Sequence, residues 1–330
     1  MHRTATFYDL KITARGKSNT RGLETDFEAT PKPILELHSY IDQLFKSGDP
    51  ILKKGRTEKS ARFYLADMAI RDTKLVLLVN RCDPTAPDAV SSDPENKSRV
   101  VHTKPPGHGG DYSAHVVMEL TPFKGDNYYI CAIETVYGSG LHASSVAEYL
   151  RYIFRHCRKM FPDSFLIPHD SGARKTDGTP VMVRHIHFAE LQGHPSKEFE
   201  TELAEGVLSG IELLDFSSKG AKWDEEGSIA ESSRKIELKP ERKHAQDAVR
   251  AIKQVRAKIL REDENFPQIR IRFTNKKGEP RDATIDTESG LLLNEEKYLK
   301  RHVINAPLVN TASLDQINYI IVREVLAKME

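Results

Sequence analysis

The chain has 330 residues, with 49 Lys and Arg against 48 Asp and Glu and a formal net charge of +1. That balance excludes a globally basic nucleic-acid binder and leaves local patches to steer a charged partner. Three separated cysteines (Cys82, Cys131, Cys157) form no C-x-x-C zinc pair and fit a reducing compartment. There is no signal-like start and no apolar run of membrane-spanning length, so a cytoplasmic protein without membrane insertion is expected.

Ala5 to Ile12 reads as a strand, followed by a basic Gly-containing loop (Arg15, Gly16, Lys17, Arg21, Gly22). Pro33 opens a helix to about 46, because Ile34, Leu37, Ile41 and Leu44 recur at three- and four-residue steps. Phe63–Asp67 and Leu75–Val79 flank the turn signal Arg71-Asp72-Thr73-Lys74 and predict a hairpin. Residues 83 to 113 lose periodicity among Pro84, Pro87, Pro94, Pro105 and Pro106 and predict a long loop.

His115–Leu120 and Tyr128–Val136 predict a second strand pair. A helix over 145–159 follows, capped by Ser144 or Ser145 and ending in Arg155, His156, Arg158 and Lys159, cations that suit a helix C-terminus. Val181–Leu191 reads as a strand. Gly193, Pro195 and Ser196 then interrupt the pattern and place a domain boundary near 195.

Residues 197 to 232 carry ten acids against three lysines, with a helix expected over 198–208, a strand over 211–216 and a polar loop to 232. From 234 to 281 the sign inverts. Between Lys243 and Arg261 the apolar residues Ala245, Ala248, Val249, Ile252, Val255 and Ile259 form one helical stripe. Lys243, Arg250, Lys253, Lys258 and Arg261 fall opposite, with Arg256 at the edge. Ile269, Ile271 and Phe273 alternate with Arg270 and Arg272, which puts both arginines on one sheet face. Asn275-Lys276-Lys277-Gly278 is a turn, residues 283–285 return, and a last amphipathic helix is expected over 313–328. The fold class is therefore α+β, in two domains (1–195 and 196–330), each a small mostly antiparallel sheet with packed helices.

Few motifs carry chemistry. Gly107-His108-Gly109-Gly110 matches neither a P-loop nor a dinucleotide fingerprint, so no cofactor is expected and no catalytic residue is assigned. His185 and His187 share one strand face as an outward pair. They give the alternative reading, a metal-assisted nuclease or hydrolase, although H-E-x-x-H is absent. The stronger pattern is basic. Lys243, Arg250, Lys253, Arg256, Lys258, Arg261, Arg270, Arg272, Lys276 and Lys277 are expected to form a continuous ridge for the phosphates of double-stranded DNA, without base readout. The acidic segment, through Glu225, Glu226 and Glu231, is a candidate resting-state cover for that ridge.

The run from Arg242 to Arg261, then Phe266-Pro-Gln-Ile-Arg-Ile-Arg-Phe-Thr-Asn-Lys-Lys-Gly-Glu, then Glu288-Ser-Gly-Leu resembles the phage-lambda Rex exclusion protein A family. Upstream, the Phe7-Tyr8 strand, the early helix, the 63–79 hairpin, the 128–154 strand–loop–helix and the Met182-to-Phe188 strand follow a similar order. The acidic segment and the insert at 83–113 depart from it. The resemblance implies a homodimeric, sequence-independent DNA-binding protein that senses phage infection in anti-phage defence by exclusion or abortive infection. It also implies a membrane-protein partner.

Overall fold

The computed structural model describes residues 2–136, 138–216, 233–241, 245, 247–262, 266–293, 298–306 and 309–329. The chain divides into two compact units, 1–191 with 302–330, and 192–301. The segment from His302 onward therefore returns to the first unit, where the sequence pattern had left it in the second. The architecture is α+β with mostly antiparallel sheets.

The first unit is built on a nine-stranded sheet. Its main path runs β3 (Arg62–Arg71), β4 (Lys74–Asp83), β7 (Gly110–Glu119), β8 (Tyr128–Val136), β1 (Arg3–Lys17), β10 (Met182–Gly193) and β9 (Leu166–Pro168). β2 (Asp26–Ala29) and β15 (Arg301–Ile304) also pair with β1. β4 shows why the sheet has two covered faces. Leu75, Leu77 and Val79 join the core beneath α1 (Ile34–Lys46) and α2 (Ala143–Met160), while Val76 and Leu78 join the core beneath α5 (Tyr319–Met329). A strand buried on both sides must read as a continuous apolar run.

α1 matches its expected limits and buries Ile34, Leu37, Ile41 and Leu44. α2 starts before the expected serine cap. His142 takes the cap position, and the Ser145 hydroxyl donates to the His142 carbonyl at 2.8 Å instead of accepting from a free amide. α5 starts later than expected because the Asn318 side chain accepts from the amides of Ile320 and Ile321 and fixes the first turn there.

The predicted long loop contains a hairpin, β5 (Ala89–Asp93) with β6 (Ser98–His102), whose ten residues are all exposed. Asp93 holds its turn by accepting from the amides of Glu95 and Asn96. With neither face buried, the hairpin has no apolar alternation to reveal it.

Beneath α5 the sheet carries a buried ionic cluster. Arg3 donates to Glu134 at 2.8 Å and to the Thr311 carbonyl at 2.7 Å, and His115 Nδ1 lies 2.7 Å from the second Glu134 oxygen. Burial pushes the Glu134 carboxyl upward, but His115 and Arg3 outweigh it and the pKa lies below the ordinary value.

The second unit is a four-stranded antiparallel sheet, β12 (Arg234–Leu238), β11 (Val207–Asp215), β13 (Gln268–Thr274) and β14 (Pro280–Asp286). Ile269, Ile271 and Phe273 of β13 share a core with Phe199 of α3 (Lys197–Glu205) and with Ala248, Ile252 and Ile259 of α4 (Ala248–Arg261).

Candidate nucleic-acid interface

Asp247 caps α4 by accepting from the Arg250 amide at 3.0 Å, so the helix begins at Ala248, five residues after the expected start at Lys243. The apolar stripe docks on the sheet, so Arg250, Lys253, Lys258 and Arg261 point away from it and are exposed. Among the described residues no carboxylate pairs with Arg250 or Lys253. Lys258 and Arg261 share Glu262, at 3.8 and 3.4 Å.

Arg270 and Arg272 do not extend this row. They alternate with Ile269, Ile271 and Phe273, whose side of β13 meets α4, so the arginines leave the opposite face of the sheet. There they pair locally with carboxylates. Arg272 and Lys235 each lie 2.9 Å from Glu212 Oε1, and Arg270 lies 3.6 Å from Oε2. Glu237 joins the cluster 2.9 Å from Lys235. The expected continuous ridge is thus divided between two surfaces of the unit.

The remaining expected contacts divide further. The Arg256 guanidinium donates to the carbonyls of Thr287 and Glu288, which fixes the turn at Gly290, where φ is +74°. Lys276 lies 3.0 Å from Glu205. Lys277 is exposed in the β13–β14 turn. Lys243 lies outside the described residues, as do Glu225, Glu226 and Glu231 of the proposed acidic cover. Glu205 and Glu212 of the acidic stretch do pair with basic side chains.

The histidine pair is also placed differently from expectation. His185 and His187 are 3% and 6% exposed, not outward, with ring centroids 4.2 Å apart. His187 Nε2 accepts from the Lys32 amide at 3.0 Å. Burial first, then His185, Lys32 and Arg158, push the His187 pKa down to about 3. Among the described residues no group of three His, Cys, Asp or Glu is placed to hold a metal ion. The cations around the pair further oppose a divalent ion.

The sequence pattern presents the cations of α2 as partners of the helix dipole. Arg155 and Arg158 in fact come together with Arg184 of β10 around one concavity. Their spacing on α2 is readable from sequence, but the approach of Arg184 requires the sheet. No protein-family model, curated protein or solved structure matches this chain.

Proposed function

We propose that the protein binds duplex DNA through its phosphate backbone, without base readout, using the outer face of α4. The observation that carries this reading is the open pair Arg250 and Lys253, continued by Lys258 and Arg261, on a face with one shared carboxylate. From Arg250 to Arg261 the helix covers about 16 Å, enough to follow a few phosphates. No aromatic side chain interleaves with these cations, which favours a duplex over a stacked single strand.

Contacts of this number give a slope of log affinity against log salt of about −2 to −4 per protomer. Anisotropy titrations of two unrelated duplexes at two salt concentrations test the reading. Affinity that ignores salt, or that differs strongly between the duplexes, would contradict it. A homodimer, a role in phage exclusion and a membrane-protein partner are supported by the family resemblance alone. Plaque counts in cells with and without the chain test the exclusion role.

A further inference from the structure

The first unit holds a second cationic site, independent of α4. Between the flank of α2 and β10 lies a cavity of about 490 Å³, lined by Arg155, Arg158, Lys159 and Arg184 beside Tyr152 and Phe165. A neighbouring cavity of about 310 Å³ shares Tyr152, Arg155 and Arg158 and reaches His187.

Missing counter-charge sets this site apart from a solvated basic surface. Among the described residues, no carboxylate pairs with Arg155, Arg158, Lys159 or Arg184. Glu148, at the margin, is held by Lys53 at 2.9 Å. Arg158 is half-buried, and burial, then Arg184 and Arg155, hold its pKa below the ordinary value. Gathering like charges in a concavity is unfavourable unless an anion is there to offset it.

His187 is 6% exposed and packs beside the smaller cavity. Its Nε2 accepts from a backbone amide, so the neutral ring carries its proton on Nδ1, and that buried nitrogen has no partner.

We propose that this groove binds a small phosphate-bearing ligand, with Arg155, Arg158 and Arg184 pairing its oxygens. Guanidinium groups suit phosphate by geometry and by charge. The concave form and the volume suit a small molecule better than a duplex, whose phosphates need an open row.

The test is calorimetric titration of the full chain with inorganic pyrophosphate, with sulfate at matched ionic strength as the control. The proposal expects one pyrophosphate per chain, weakened about tenfold or more by Arg158→Ala and separately by the exposed-site variant Arg184→Ala. It also expects no change in pyrophosphate binding from Arg250→Glu with Lys253→Glu, which reports on the DNA reading alone. Absent binding, equal binding of sulfate, or binding indifferent to both arginine variants would overturn it. So would duplex DNA that displaces pyrophosphate and is itself lost in Arg184→Ala, because the groove would then belong to a nucleic-acid surface.

Discussion

Arg272 Nη2 lies 2.9 Å from Oε1 of Glu212, a carboxylate whose side chain is 4% exposed at the centre of the second unit's sheet. Arg270 and Lys235 converge on the same group. These cations converge on a buried negative charge, which engages them locally.

Replacing Arg270 and Arg272 with Ala is therefore expected to act on stability. With the exposure of both guanidinium groups discounted, the loss is about 1–2 kcal/mol in urea unfolding. Duplex affinity should change less than about twofold, since the proposed phosphate contacts lie on α4. A large loss of affinity without loss of stability would return the sheet face to the interface.

Arg3 offers a sharper stability test. Its side chain is 1% exposed against a fully buried Glu134. Arg3→Ala leaves that carboxylate with His115 alone and should cost about 3–5 kcal/mol. Arg3 also donates to the Thr311 carbonyl, so protease sensitivity of the C-terminal segment should rise with it. An unchanged thermal midpoint would contradict the ionic cluster.

His187 sets a pH dependence. Its folded pKa is near 3, below the unfolded value of 6.5. Above 6.5 both states are neutral and there is no penalty. As pH falls from 6.5 towards 3, the unfolded state takes up a proton that the folded state refuses. Stability then drops by about 1.4 kcal/mol per pH unit from this group. His187→Phe should flatten that part of the profile in urea titrations between pH 4 and pH 7; an identical slope would place the proton uptake elsewhere.

Much of this arrangement was legible in the residues. The spacing of Ile34, Leu37, Ile41 and Leu44 specified α1, and the alternation around Ile269 put Arg270 and Arg272 on one face. The error lay in joining that face to the basic side of α4. An amphipathic helix docks its apolar stripe on the apolar face of a sheet, so its cations must point away from the sheet's opposite, polar face. That separation follows from periodicity alone. The burial of His185 and His187 does not, because it depends on packing against residues distant in sequence, such as Phe154 and Phe165. The meeting of Arg155 with Arg184 likewise depends on which strand lies next to α2.

The most direct measurement is duplex-DNA anisotropy for the wild-type chain and for the double variant Arg250→Glu, Lys253→Glu at one low salt concentration. Both residues are exposed, so the fold and thermal midpoint should hold while affinity falls about tenfold or more and the salt slope shrinks. Equal affinity in the two proteins, or no binding by the wild type, would contradict DNA recognition by α4.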